Sequence, residues 1–311
     1  MDREKLEPVK DIDPRKIKSK ELIKQYRNSG GFTSSLIAQA DEIMKEIKEK
    51  GKETHFFLSF PACITSTGTR GVIKELIKTG EIDTVITTCG MLDHDLARTW
   101  KEYYKGSFKI SDKELQKMKI HRLGNIFIPQ ECYGPVIEKN LQPILKEINE
   151  EYRELSTNTL VREIGKRIKD KDSILHWIAK KEVNTYIPGI TDGAVGTQIW
   201  TYQQDKEFNV NLWKDQDELA DIVFEEKDTS ALMIGGGISK HHVIWWNQFK
   251  NGLDRAVYIT TAPEWDGSLS GARLKEAISW NKLKSEAEHV TIPGEATAIL
   301  PILTANFLKK K

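Results

Sequence analysis

Two short runs hold residue types that can do chemistry. The first, ALMIGGGISKHHVIWW (residues 231–246), sets an apolar run against three glycines, a lysine and two histidines. Glycines between a strand and a helix let a backbone approach a pyrophosphate, whose charge the helix N-terminus then stabilises. Gly235 and Gly237 fit a G-x-G-x-x-G fingerprint, but Lys240 stands where the third glycine belongs. A plain glycine-rich turn reads the same way. His241 and His242 are neighbours, so on a helix they point about 100° apart and do not readily share an ion. One imidazole at a strand's carboxyl end suits proton transfer; a capping or packed histidine is the alternative. The second run, TTAPEWDGSLSGARLKEAISWNKLK (residues 260–284), mixes acids, indoles and lysines. Glu276 and Trp280 are four apart and would share one helix face. A carboxylate beside an indole receives an ammonium group through charge pairing and cation–π attraction. Lys282 follows two residues later; burial would lower its pKa and yield the neutral amine that forms imines. In a chain with 47 lysines and arginines, an ordinary surface lysine is the alternative.

Strand-like runs alternating with helix-like ones must position these residues. HFFLSF (55–60) precedes RGVIKELIKTG, whose stripe of Val72, Ile73, Leu76 and Ile77 stops at Gly80. DTVITTCG, GNIFIP, NTYIPGI, NVNLW and ALMIGGG each precede a helical pattern. AVYITTA, HVTIPG and a helix over 298–308 close the series. Such alternation predicts an α/β fold: a mostly parallel central sheet with helices on both faces. Sites in such sheets lie at the carboxyl ends of the strands, where this chain places TTCG, GITDG, GGGISKHH and TTAPEWDG. A charged helix is expected over 16–26, and Lys309–Lys311 read as a solvated tail.

The 311 residues suffice for one large α/β domain or two smaller ones. The 47 basic and 46 acidic residues balance to +1, which argues against nucleic acid or an anionic membrane as partner. Cys63, Cys89 and Cys132 form no C-x-x-C pair, and no H-E-x-x-H exists. No metal site is expected, and a reducing compartment is. The N-terminal MDREKLEPVKDIDPRK has no apolar core and no run is long enough to span a bilayer, so a cytoplasmic protein is expected.

The motifs SFPACITSTGTRG, TTCGMLDHD, PGITDGAVG, IGGGISKHH, YITTAPEWDGSLSGAR and EAISWNK, in this order from about residue 8 to 307, resemble deoxyhypusine synthase, above all its archaeal branch. The resemblance implies a Rossmann-like fold: an N-terminal helical extension over 1–30 that covers the site, and one NAD-binding catalytic domain over 31–311. It implies a homotetramer with active sites between paired subunits, and NAD-dependent transfer of the aminobutyl group of spermidine to one lysine of the translation factor 5A precursor through an enzyme imine. Lys282 matches the imine-forming lysine and His241 the base. Glu276, Trp280, Gly267, Ser268, Asp93 and His94 match polyamine-site positions. The NAD positions fall on Cys63, Ile64, Thr65 and Ser66, on Thr88, Cys89 and Gly90, and on Asp192, Gly236, Thr261, Ala262, Glu295 and Ala296; Asp192 or Glu295 would suit a ribose hydroxyl. Several positions depart from the family pattern. His94, Thr197 and Leu269 replace acids, Trp245 replaces an asparagine and Asn281 a glycine. Homospermidine synthesis, with putrescine as acceptor, and a non-catalytic NAD-binding paralogue are the alternatives. A Rossmann-type deacylase is disfavoured by the missing C-x-x-C pairs.

Overall fold

The computed structural model describes Asp13, residues 19–225 and residues 227–308. Its strands are β1 (Thr54–Ser59), β2 (Thr84–Ile86), β3 (Tyr104–Lys105), β4 (Ile120–Leu123), β5 (Ile126–Pro129), β6 (Glu154–Leu155), β7 (Asn184–Tyr186), β8 (Asn209–Val210), β9 (Asp228–Ile234), β10 (Leu253–Thr260) and β11 (Leu283–Pro293). Its helices are α1 (Ser19–Ser29), α2 (Phe32–Lys50), α3 (Arg70–Thr79), α4 (Cys89–Trp100), α5 (Asp112–Lys117), α6 (Gly134–Glu151), α7 (Thr157–Arg167), α8 (Ile174–Lys181), α9 (Ala194–Gln203), α10 (Leu212–Phe224), α11 (Gly237–Asn247) and α12 (Ala296–Phe307). No helix among the described residues is long and apolar enough to cross a membrane.

Six strands form the main sheet in the order β11-β10-β9-β1-β2-β7, and every pairing in it is parallel. The chain starts in the middle, builds outward to β7, then returns to β1's other edge. The order therefore reverses between β1 and β9, the switch point where open α/β sheets form a crevice. Alternate residues of each strand feed two apolar cores. Phe56, Leu58, Leu232, Ile234, Val257 and Ile259 pack on one face; Phe57, Ile86, Ala231, Met233, Ala256 and Tyr258 pack on the other with Val243 and Ile244 of α11. All six residues of β1 are buried, which is why HFFLSF reads as a continuous apolar run rather than an alternating one.

Two expected strands leave this sheet. GNIFIP becomes β5 in an antiparallel sheet ordered β3-β5-β4, because Gly124 (φ +60°) reverses the chain directly out of β4. NVNLW contributes only the two residues of β8, paired with β6, before Asn211 caps α10 by accepting from the Trp213 N–H. Helices α2, α5, α7 and α8 have no counterpart in the sequence reading. Helix α2 follows NSGG and buries Ile37, Ile43, Met44 and Ile47. The expected helix over 16–26 survives as α1 from residue 19, packed on α2 and α12 through buried Ile23; residues 16–18 and the Lys309–Lys311 tail lie outside the described residues.

Asp95 of α4 joins three elements. It pairs with Arg70 of α3 (2.7 Å), and both side chains are almost wholly buried. It also accepts from Ser173 Oγ (2.6 Å) and from the amides of Ile174 (2.9 Å) and Leu175 (3.0 Å), which start α8. Removing one partner of such a pair strands a buried charge at a cost of about 3–5 kcal/mol. Asp95→Ala is therefore expected to lower the unfolding free energy by that amount, read as a lower denaturant midpoint at unchanged slope; a loss below about 1 kcal/mol would contradict this assignment.

Candidate active site

The three glycines after β9 do two jobs. Gly235 and Gly237 take φ +65° and +68°, the left-handed region that costs other residues most. Gly236 is there for space: a Cβ on it would lie 2.1 Å from Ser270 Oγ. The loop that follows β10 is thereby packed against the turn, and α11 starts at Gly237 with His241 one turn in.

That loop is held from three sides. Lys240, 2 % exposed, donates from Nζ to the carbonyls of Leu269 (3.0 Å) and Ala272 (2.6 Å) and lies 3.8 Å from the Tyr258 ring centroid. Burial pushes its ammonium down to about 8, with Glu276 opposing and Arg273 adding to the shift. The Ser270 carbonyl accepts from Tyr258 Oη (2.7 Å) and Thr260 Oγ1 (2.9 Å). Beyond the loop lies a cavity of about 180 Å³, lined by Lys240, His241, Leu269, Arg273, Glu276, Trp280 and Lys282 among others.

Lys282 is 9 % exposed. Its Nζ lies 5.2 Å from the Trp280 ring centroid and 5.6 Å from that of Trp245, and among the described residues it has no hydrogen-bond acceptor. His241 faces it: burial first, and the Lys282 charge second, hold the imidazole below its ordinary pKa. His241 also stacks at 5.7 Å on Trp245 and lines a second cavity of about 490 Å³ with Trp213, Ile238, His242 and Trp245. Glu276 and Trp280 sit on a 3-10 turn (Leu274–Trp280) rather than the expected α-helix. Three residues per turn offset positions four apart by about 120°, yet both line the Lys282 cavity. Asn281 adopts φ +54° and ends that turn, which explains why glycine suits the position and why asparagine, the next most tolerant residue, replaces it. The Lys282 N–H then donates to Ala277 O at 3.0 Å.

A larger cleft of about 720 Å³ opens at the switch point. Of the expected dinucleotide positions, Cys63, Ile64, Ser66, Thr261, Glu295 and Ala296 line it, together with Gly235. Thr65 turns inward and donates to Ala62 O; Gly236 and Ala262 flank lining residues. Gly90 backs onto Ala62, where a Cβ would lie 2.7 Å from the Ala62 Cβ. Thr88 Oγ1, at the start of α4, is buried with no hydrogen-bond partner among the described residues and does not line the cleft. Glu295 caps α12 by accepting from the Thr297 (2.9 Å) and Ala298 (3.1 Å) amides. A helix N-terminus and a glycine turn around one large cleft fit a dinucleotide.

The remaining expected residues lie elsewhere in the single chain. Asp93 is buried and accepts from Tyr133 Oη (2.8 Å) and the Ala194 (2.9 Å) and Val195 (2.7 Å) amides; burial raises its carboxyl against these donors. His94 is buried against Tyr103 Oη at 3.0 Å, and burial lowers it to about 4. Burial first, then the charge of Asp93 and more weakly that of Asp192, raise the Cys89 thiol; Asp192 does not line the cleft, and Gly267 and Ser268 sit on an exposed turn closed by Asp266. None of these five lines the Lys282 cavity. Sequence reasoning passed over Lys240, seen only as a missing glycine, and Phe108 and residues 123–126, which line the cleft from the small sheet; no periodicity marks them. Among the described residues no three His, Cys, Asp or Glu side chains converge as metal ligands do.

The profile of the family described as deoxyhypusine synthase matches residues 21–307. A protein of Picrophilus torridus named "Probable deoxyhypusine synthase" is 52% identical over 316 aligned positions, covering 99% of this chain and all of that one. Its namesake in Thermoplasma acidophilum is 48% identical, again over 99% of this chain and all of its own. Among solved structures, one from Entamoeba histolytica that carries the family's name superposes with a TM-score of 0.63 at 21% identity, covering 96% of this chain and 95% of its own. At that identity the superposition speaks to the fold, and the fold and the sequence matches agree: the chain belongs to the deoxyhypusine synthase family.

Proposed function

We propose that this chain is a deoxyhypusine synthase that uses NAD to move the aminobutyl group of spermidine onto one lysine of the translation factor 5A precursor. The observation that carries the reading is the setting of Lys282: a nearly dry amine between two indoles, facing His241 and one loop away from the switch-point cleft. The cleft residues would hold NAD, with the backbone at Gly235 and the first turn of α12 toward its charged or hydroxylated parts. When bound, NAD supplies the hydride acceptor for the carbon beside the secondary amine of spermidine, and the hydride donor at the end of the cycle.

His241 takes the proton released as that amine becomes an imine. Lys282, as the neutral amine, adds to the imine carbon; 1,3-diaminopropane leaves with a proton, and the butylamine remains on Lys282 as an imine. The target lysine then displaces Lys282, and reduction of the new imine gives the product. Indole faces at Trp245 and Trp280 keep water from these imines and attract the cationic ends of the polyamine. One carboxylate, Glu276, lines the Lys282 cavity, which is sparse for a polycation. This fits a homotetramer in which a second copy completes the site, with Asp93 fixing the start of α9 rather than touching substrate.

Incubation with NAD, labelled spermidine and the factor 5A precursor is expected to label one lysine of the factor. Absence of label on the factor under all conditions would reject the reading, and label appearing on added putrescine at a comparable rate would favour homospermidine synthesis.

A further inference from the structure

The segment between α4 and α6 folds as a flap with its own small core. Leu115, Ile120 and Phe127 are buried there, with Tyr104, Ile110 and Met118 around them. Arg122 clamps it, gripping Asp112 through two nitrogens (2.7 and 2.9 Å) and donating to Gly124 O (3.0 Å). The loop out of β3 is fixed as well. The Gly106 N–H donates to Asn125 O (2.7 Å), and a Cβ on Gly106 would lie 2.4 Å from the Phe127 ring.

This anchored loop presents Phe108, which is 70% exposed. The ring stands over Gly124, where a Cβ would be 3.4 Å from it, and it lines the switch-point cleft with Leu123, Gly124, Asn125 and Ile126. One wall of the cleft is thus the carboxyl edge of the sheet, with its turn glycines and helix N-terminus. The facing wall is an apolar shelf with an aromatic ring and the exposed Asn125 amide. An exposed phenyl ring on an anchored loop at the cleft offers a π face on which a flat ligand can stack. Phosphates and hydroxyls belong to the first wall; a heteroaromatic base, with one π face and polar edges, suits the second.

We propose that the flap is the base-binding wall of the cleft, with Phe108 stacking on the purine of the dinucleotide. The purine rather than the nicotinamide is assigned because the end of the cleft toward Lys282 is marked by Thr260, whose hydroxyl holds the loop that carries Leu269 into the Lys282 cavity. The shelf residues belong to a separate element. This inference rests on the NAD reading above and extends it to residues outside the family motifs.

The test is equilibrium titration with NAD and with ADP-ribose, which keeps the purine and lacks the nicotinamide. Phe108→Ala is expected to raise the Kd for both about five- to tenfold, with thermal unfolding unchanged because the ring is exposed. Phe108→Tyr should stay within about twofold of wild type, since it keeps the π face. Unchanged NAD affinity in Phe108→Ala would overturn the proposal, as would weakened NAD binding with ADP-ribose unaffected. Failure of the wild-type protein to bind NAD would instead remove the cofactor reading itself.

Discussion

Lys282→Arg is expected to abolish transfer, with activity below about a thousandth of wild type. Guanidinium stays protonated at any pH the protein survives, so it has no lone pair to add to an imine. The change keeps the charge and much of the length, and Arg stacks on indoles at least as well as Lys does. Trp245 and Trp280 would therefore still be covered, and NAD affinity should not change. Borohydride added during turnover should trap a butylamine adduct on the wild-type chain at residue 282 and none on the variant. Residual transfer at a tenth of the normal rate would mean that another amine forms the bond. Lys240 is the nearest alternative, as burial lowers its ammonium to about 8, but its Nζ is held by two carbonyls.

His241→Ala is expected to slow substrate oxidation by about 10²–10⁴-fold while leaving NAD affinity within about twofold. A base must be neutral to accept a proton. Burial and the Lys282 charge lower the His241 pKa from 6.5, so the group is already neutral at pH 7 and becomes inactive only as pH falls. The rate limb owed to this imidazole thus rises with pH, has its midpoint below 6.5 and disappears in the variant. If affinity and rate fell equally, the ring would be a binding element and not a base. The neighbouring His242 makes a useful control: it is more deeply buried, it is lowered to about 4 by burial, and its Nε2 has no hydrogen-bond partner among the described residues. Its replacement should alter stability before it alters the pH profile.

Much of this could be read from the chain because parallel α/β folds write long signals. The apolar run at 55–60 and the glycines at 235–237 each imply one local geometry, and the structure has it. What escaped was decided by tertiary contact. The α-helix expected through Glu276 and Trp280 is a 3-10 turn, ended by Asn281 in the left-handed region. GNIFIP has strand chemistry, and its leading Gly-Asn is a hairpin signal that the helix-alternation reading passed over: Gly124 in the left-handed region turns the chain back along β4. Lys240 looks like a defect in a glycine motif until the carbonyls of Leu269 and Ala272 are seen around it. Asp93 and His94, which match polyamine-site positions, are both buried and line no part of the Lys282 cavity, a matter of burial that residue type alone does not reveal.

The reversal of strand order next to β1 also sets a timetable for synthesis. One edge of β1 finds β2 within a few dozen residues, whereas the other waits for β9, whose Asp228 pairs with Thr54 across 174 positions. At ribosomal speeds of about 5–20 residues per second, that edge emerges on the order of 10–30 s before its mate exists. An open apolar strand edge recruits whatever strands are near. The nascent polypeptide therefore carries that edge unpaired throughout the interval before β9 emerges.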